Sequence, residues 1–139
     1  NSRYNISMTL AKDSNADVIV VEDDPFISRM YQVKLSKAGY HILMGANGKE
    51  GVKLIHDNHP KLVLMDINMP EMSGIEAIKE LKHQGYDFSK TAVVFLTNSN
   101  NPNDIGQVGA LGGEYIVKAD QTPRGVLELI QRKLGQVSS

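Results

Sequence analysis

The sequence predicts an α/β fold, in which a doubly wound, five-stranded parallel sheet is covered on both faces by five helices in a three-layer sandwich. Short, uninterrupted apolar runs, which are typical of strands buried on both faces, alternate with segments of helical periodicity. The alternation occurs five times, and strands that alternate with helices form a parallel sheet through right-handed crossovers. The chain has 139 residues, of which 41% are hydrophobic, which is enough for one domain and its core.

The first strand is predicted at Val18–Val21, a β-branched run that leads into three consecutive acids. The third acid, Asp24, and the following Pro25 suit the N-cap and the first position of a helix. Capping needs only one acid, so it does not explain Glu22 or Asp23. The apolar face predicted for this helix consists of Phe26, Ile27, Met30, Val33 and Leu35.

The second and third units follow the same pattern. Residues 41–44 predict a weaker strand, and Asn47 is the expected N-cap of the second helix. The third strand is the apolar run 62–65, which ends in a single carboxylate, Asp66. An amphipathic third helix is predicted after Gly74.

The fourth strand is predicted at residues 91–96 and ends at Thr97, and a fourth helix is predicted at residues 104–111. Two glycines in this helix each cost about 0.5–1 kcal/mol relative to alanine, so we expect it to be the least stable helix. The fifth strand, Glu114–Val117, ends at Lys118.

The predicted domain spans residues 17–135, and its last helix opens at Thr122 and Pro123. Residues 1–16 are polar and aperiodic, and we interpret them as a flexible tail or a cloning-vector remnant. Residues 136–139 are predicted to form a C-terminal tail.

Composition argues against several classes of protein. The formal net charge of -1 gives no general attraction to nucleic acid or to an anionic membrane. The chain has no cysteine, which excludes disulfides and thiolate chemistry and is typical of reducing compartments. No apolar run approaches the roughly 20 residues of a membrane span. We therefore expect a cytoplasmic protein that binds neither nucleic acid nor membrane directly.

Each buried strand is followed or ended by a polar group that can carry chemistry. These groups are Glu22 and Asp23, then Asp66, Thr97 and Lys118. Taken singly, each is as well explained as a turn or capping residue. Because parallel strands end at one edge of a sheet, where ligands bind in open α/β folds, we expect all five groups to converge. Converging carboxylates suit a hard divalent cation, Mg2+ above all.

Beyond these patterns, the chain from Val18 to about Leu134 resembles the receiver domain of two-component response regulators, of the single-domain chemotaxis type. The motifs that carry the resemblance are VVEDDP at 20–25, LVLMDINMPEMSGIEAI at 62–78, FLT at 95–97 and YIVK at 115–118. The resemblance implies a flavodoxin-like strand order, 2-1-3-4-5.

The resemblance also implies a role for each site residue. Asp66 matches the aspartate that takes a phosphoryl group from a phosphohistidine of a sensor kinase. Lys118 and Thr97 match the ammonium and the hydroxyl that engage the phosphoryl oxygens, and Tyr115 matches the aromatic whose rotamer reports the state of the switch. The implied Mg2+ site, which Mn2+ also fills, consists of Asp23, Asp66, the backbone carbonyl of Asn68 and, through water, Glu22.

A receiver of this kind is a phosphoprotein in a phosphorelay and not a turnover enzyme, since it catalyses only its own phosphorylation and dephosphorylation. The implied partners are a sensor histidine kinase or phosphotransfer protein and an output partner that the sequence does not identify. Contact with that output partner would use the fourth helix and the fifth strand. A phosphorylation-dependent dimer is a further implied partnership.

Two positions depart from the family pattern. Ala119 replaces a proline that often follows a cis peptide bond. A cis bond before alanine costs about 2.5–4 kcal/mol, so the sequence leaves open a trans bond or a strained cis bond after Lys118. Asn98 replaces a small residue next to Thr97, and we expect it to restrict water and slow the loss of the phosphoryl group.

Two alternatives remain at this stage. The chain could be a receiver-like binding module that is never phosphorylated, which the retention of the full residue set argues against. It could also be a haloacid-dehalogenase-like phosphotransferase. Those enzymes use a second aspartate two residues after the nucleophile, whereas this chain has Asn68 there.

Overall fold

A computed structural model describes residues 16–98 and 101–138, with side chains up to Gly135. The predicted tail at 1–16 therefore lies, except for Ala16, outside the described residues. The strands are β1 Val18–Val21, β2 Ile42–Gly45, β3 Leu62–Asp66, β4 Ala92–Thr97 and β5 Glu114–Val117. The helices are α1 Pro25–Lys37, α2 Gly48–Asn58, α3 Gly74–His83, α4 Pro102–Ala110 and α5 Pro123–Ser138.

All five strands belong to one parallel sheet in the order β2-β1-β3-β4-β5, so the predicted fold class and strand order are confirmed. The central strands β1 and β3 lie side by side, with Val21 paired to Met65. This is the point where the winding of the sheet reverses and where a crevice opens beyond the strand ends. The residues that follow β1 and β3 therefore flank one crevice.

Alternate residues of the central strands face opposite layers of helices, because successive side chains of a strand point to opposite faces. On one face, the strands pack against α2, α3 and α4, which contribute Ile55, Ile78 and Val108. On the other face, they pack against α1 and α5, which contribute Leu35 and Ile130. Both faces of the sheet are thus covered, as the continuous apolar runs predicted.

The prediction of which α1 residues form its buried apolar face is wrong in part. The residues of α1 that are buried are Tyr31 and Leu35, whereas Phe26 is 87% exposed, Met30 39% and Val33 41%. A helix turns about 100° per residue, so positions 31 and 35 share a stripe that Phe26 and Met30 do not. The helix is apolar on more than one side, and one apolar side faces solvent.

Several helices and strands begin or end a few residues away from their predicted boundaries. β2 begins and ends one residue later than predicted, and α4 begins at Pro102 behind an N-cap at Asn101. α5 continues to Ser138, so residues 136–138 are helical and do not form the predicted tail. The limits of the domain remain a prediction. Within the described part of the chain, no helix is both long and apolar enough to cross a membrane.

Candidate functional site

The first acidic group of the site lies directly after β1. Glu22 is buried, and its Oε2 accepts a hydrogen bond from the backbone N–H of Asp24 at 3.1 Å. Asp24 is the N-cap of α1, as predicted, and its Oδ1 accepts from the N–H of Phe26 at 2.9 Å. The third acid is therefore used by the helix, while Glu22 and the exposed Asp23 face the crevice.

Asp66 is the last residue of β3 and is only 1% exposed. It lies close beneath the start of α3, and Gly74 makes this approach feasible. A Cβ at position 74 would lie 2.2 Å from the Asp66 carbonyl oxygen and 2.6 Å from Met65 Cγ. Ser73, just before Gly74, is the N-cap of α3 and forms a capping box there. The glycine in the 62–78 motif is thus needed for packing the helix against the strand that carries Asp66.

Lys118 reaches this pair of acids from the end of β5. Its Nζ lies 2.9 Å from Glu22 Oε1 and 3.2 Å from Asp66 Oδ1, and the side chain is largely buried. No cis peptide bond occurs among the described residues, so the Lys118–Ala119 bond is trans. The chain forms a 3₁₀ turn at Lys118–Asp120. The substitution of alanine for proline therefore leaves the ammonium in contact with both carboxylates.

One ammonium between two carboxylates leaves excess negative charge in a buried place. Burial, followed by the charge of Glu22, raises the pKa of Asp66 to about 7, although Lys118 acts in the opposite direction. Burial alone would lower the pKa of Lys118, but its hydrogen bond to Glu22 and the charge of Asp66 outweigh burial and raise it. The site is thus short of positive charge.

A divalent cation would supply that charge, and the acids are arranged to hold one. Glu22, Asp23 and Asp66 each offer a carboxylate oxygen, and these oxygens lie within 4.8 Å of one another. An all-oxygen donor set of this kind suits Mg2+. These three carboxylates therefore suit Mg2+, the metal that the sequence predicts.

The two remaining predicted residues lie on β4 and β5. Thr97 is buried at the carboxyl end of β4, one residue beyond Leu96, which is paired with Asp66 in the sheet. Tyr115 is paired with Phe95 across β4 and β5 and exposes 36% of its surface. Thr97 thus lies at the crevice edge, while Tyr115 faces outward on the β5 side. The roles of both residues remain predictions.

Two features near the site were missed from the sequence. Tyr31 is buried, and burial, followed by the charge of Glu22, raises the pKa of its phenol. Its spacing of four residues from Ile27 and from Leu35 was the signal that places it on the inner stripe of α1. The other feature is the side chain of Asn68, whose Oδ1 accepts a hydrogen bond from the N–H of Asn98 at 3.2 Å. A contact between two loops has no local sequence signal.

With this geometry established, comparison with known proteins identifies the family. Residues 18–131 match the family model described as the response regulator receiver domain. The chain belongs to the family of response regulator receiver domains. Receiver domains are signalling modules of two-component systems and bind Mg2+ at an acidic cluster, and they are not turnover enzymes.

Relatives of similar length include two response regulators. The chain is 34% identical over 118 residues to the chemotaxis protein CheY of Bacillus subtilis, covering 84% of this chain and 96% of that protein. It is 32% identical over 119 residues to the polar-differentiation response regulator DivK of Brucella ovis, covering 85% and 95%. A match over almost the full length of both proteins supports the family assignment throughout the domain.

The same architecture occurs in solved structures. Chemotaxis protein CheY4 of Vibrio cholerae superposes with a TM-score of 0.74 at 30% identity, covering 84% of this chain and 97% of that one. A CheY-like receiver domain protein from Methanospirillum hungatei gives a TM-score of 0.77 at 27% identity, covering 87% and 94%. Both neighbours are CheY-like receivers.

Other relatives are much longer than this chain. The match spans 15% of the CAI-1 autoinducer sensor kinase/phosphatase CqsS of Vibrio cholerae, at 28% identity. It spans 41% of the probable transcriptional regulator ycf27 of Porphyridium aerugineum and 17% of the regulatory protein AtoC of Escherichia coli. Receiver domains like this one thus occur both as most of a protein and as a small part of one.

Proposed function

We propose that this receiver accepts a phosphoryl group on Asp66 from a phosphohistidine of a sensor kinase or phosphotransfer protein. The observation that carries the proposal is the surroundings of Asp66. Its carboxylate is buried at a strand end, crowded by Glu22 and Asp23, and contacted by Lys118 at 3.2 Å. A carboxylate held in this way is a competent nucleophile for a phosphoryl group.

The proposed transfer is a displacement at phosphorus. An oxygen of the Asp66 carboxylate attacks, the P–N bond of the phosphohistidine breaks, and its electron pair remains on the imidazole nitrogen. The product is an acyl phosphate on Asp66 and a free histidine. Because such transition states are loose and highly charged, positioning and neutralisation supply most of the catalysis. Lys118, already beside the nucleophile, is placed to neutralise the transferring oxygens.

The residues that would hold Mg2+, or Mn2+, are Asp23, Asp66 and the backbone carbonyl of Asn68, with Glu22 acting through water. When bound, the metal supplies positive charge that neutralises the phosphoryl oxygens. The backbone N–H of Asn68 donates to Asp66 Oδ1 at 3.2 Å, which orients the carboxylate. The chain itself thus orients the nucleophile, and the metal adds the charge that the site lacks.

Phosphorylation adds negative charge and acceptor oxygens at the crevice. Lys118 would exchange part of its contact with Glu22 for the new oxygens, and Thr97 would turn its hydroxyl toward them. Helix α4 begins only a few residues after Thr97 and has Val108 as its one buried residue, so it is weakly held. We infer that the α4–β5 surface, including Tyr115, changes and controls a partner.

The exposed apolar side of α1 suits the docking of the phosphodonor. Phe26, Met30 and Val33 line a groove of about 600 Å3, and Pro123, just after the Lys118 turn, lies on its wall. Met30 and Pro123 also line a smaller cavity together with Lys118, so the groove is next to the crevice. Its basic neighbours are Arg29, Lys34 and Lys37. A donor helix with an apolar face flanked by acids would match this surface in shape and charge.

The alternatives fit less well. A module that is never phosphorylated has no need for Lys118 between two carboxylates beside an acidic cluster. The family assignment favours a receiver over a haloacid-dehalogenase-like enzyme, and position 68 is an asparagine. We also propose a cytoplasmic location, because the phosphodonors of receivers act there.

The proposal is tested with acetyl phosphate, a small phosphodonor, followed by intact mass spectrometry. With Mg2+ present, wild type should gain the mass of one phosphoryl group, and Asp66→Asn should gain none. Asp57→Asn is the matched control, since Asp57 is exposed on α2 and paired with Lys53; it should react like wild type. Absence of the added mass in wild type, or equal uptake by Asp66→Asn, would rule the proposal out.

A further inference from the structure

One residue connects the proposed phosphoacceptor to the loop after β4. The backbone N–H of Asn68 donates to Asp66 Oδ1 at 3.2 Å, and Oδ1 of the same asparagine accepts from the backbone N–H of Asn98, also at 3.2 Å. The two asparagines are 30 positions apart in sequence. Asn98 directly follows Thr97, so the hydrogen bond ties the Thr97 end of β4 to the Asp66 end of β3.

This hydrogen bond can be exchanged at little cost. Both Asn68 and Asn98 are exposed, so water can replace either partner. At 3.2 Å, this hydrogen bond between neutral groups is at the long end of the ordinary range of N–H to oxygen distances and is therefore weak. A charged oxygen that entered the same space would be a stronger acceptor, since hydrogen bonds to ionised groups are shorter and about twice as strong.

A phosphoryl group on Asp66 would bring such oxygens to this position. The sheet pairs Asp66 with Leu96, and the N–H of Ile67 donates to the Leu96 carbonyl at 2.8 Å. Residues 97–98 therefore run beside residues 67–68, with Asp66 at the base of the gap between them. The oxygens of an acyl phosphate would extend from Asp66 into that gap, where the Asn98 N–H points at Asn68.

We propose that the carboxamide oxygen of Asn68 is a stand-in for a phosphoryl oxygen. It accepts the Asn98 N–H while Asp66 is unmodified and gives up this donor when Asp66 is phosphorylated. The inference rests on the proposed function and adds a positioning role for the Asn68 side chain. The backbone N–H of Asn98, in the loop that leads to α4, thus has two alternative acceptors, one for each state of the switch.

The test uses beryllofluoride, a non-covalent phosphoryl mimic, with Mg2+ and NMR of the Asn98 amide. In the free protein, the Asn98 amide should exchange with solvent several-fold faster in Asn68→Ala than in wild type. Alanine keeps the backbone N–H and carbonyl of position 68, so the contact with Asp66 remains. In the beryllofluoride complex, the two proteins should show the same exchange rate and the same chemical shift for this amide.

The affinity of the protein for beryllofluoride in the presence of Mg2+ is a second readout. Wild type must break the bond between Asn98 and Asn68 before it binds the anion, so Asn68→Ala should bind beryllofluoride about 2- to 10-fold more tightly. Asn68→Asp keeps an acceptor and charges it, so it should bind the anion more weakly than wild type. Asp57→Asn is the matched control, because Asp57 is exposed on α2 and paired with Lys53, and this variant should bind the anion like wild type.

The outcomes separate this inference from the proposed function. If beryllofluoride shifts the signals around Asp66 but leaves the Asn98 amide unchanged in wild type, the stand-in role is wrong and the proposed function stands. Equal Asn98 exchange in free wild type and free Asn68→Ala leads to the same conclusion. If the anion with Mg2+ does not bind wild type at all, both the proposed function and the inference fall.

Discussion

Replacement of Asp66 by asparagine should make the metal-free protein more stable at alkaline pH. Burial and the neighbouring Glu22 raise the pKa of Asp66 to about 7 from its ordinary value of 3.8. The folded state therefore holds this proton more firmly than the unfolded state, and stability is lost as the pH rises from about 4 to about 7. Asparagine cannot ionise, so the variant escapes this loss.

The size of the effect follows from the two pKa values. Each pKa unit corresponds to about 1.4 kcal/mol, which sets a ceiling of about 4 kcal/mol for the gain of Asp66→Asn above neutral pH. Water and side-chain relaxation reduce such penalties, so we expect a gain of about 1–3 kcal/mol. Lys118 keeps its 2.9 Å contact with Glu22 in the variant, so the substitution leaves no unpaired buried cation.

Urea unfolding in the presence of a chelator measures this difference. The advantage of Asp66→Asn in free energy of unfolding should be at least about 1 kcal/mol larger at about pH 8 than at about pH 5. Addition of Mg2+ at the higher pH should reduce it, because the metal binds and stabilises wild type. Asp57→Asn should show no such gain, since Lys53 lowers the pKa of Asp57. An advantage that does not change with pH would refute the assigned electrostatics.

Four further substitutions test the shielding of the site, the docking surface and the packing of two glycines. Asn98→Ala should shorten the lifetime of the phosphorylated protein, because a smaller side chain next to Thr97 admits water; equal lifetimes of phosphorylated variant and wild type would count against a shielding role. Phe26→Ala should slow phosphoryl transfer from a phosphotransfer protein of the same organism about 10-fold and leave transfer from acetyl phosphate unchanged; slowing with both donors would contradict the docking surface. Gly74→Ala should lower the free energy of unfolding by at least about 2 kcal/mol, because its Cβ would lie 2.2 Å from a backbone oxygen. Gly106→Ala, where nothing lies within 4 Å, should raise it by about 0.5–1 kcal/mol; similar effects of the two glycine changes in urea unfolding would contradict the packing described.

The parts of the fold that could be predicted are those with local causes. The apolar runs of β1 and β3 identify strands buried on both faces, and Asp24 and Asn47 cap helices where the sequence placed them. Strand ends converge in a parallel sheet whatever the details of packing. For that reason, the convergence of the acids and Lys118 at one edge of the sheet followed from the alternation of strands and helices, whereas the pairing of Lys118 with the Asp66 site was implied by the family resemblance.

The features that were predicted wrongly or missed depend on contacts between residues that are distant in sequence. The sequence of α1 is apolar on more than one side, and its packing against the sheet and α5 decides that Tyr31 and Leu35 face inward while Phe26 does not. The hydrogen bond between Asn68 and Asn98 joins two loops, so no periodicity could indicate it. These exposed or inter-loop features are also where we infer docking and switching.

The central claim is that Asp66, with a divalent metal bound at its acidic neighbours, is the site of phosphorylation. The most direct measurement is to locate the phosphoryl group by peptide mapping after incubation with acetyl phosphate, with Mg2+ and with a chelator. We expect modification of the peptide that contains Asp66, and we expect it to depend on Mg2+. A phosphoryl group on another peptide, or equal modification with the chelator present, would contradict it.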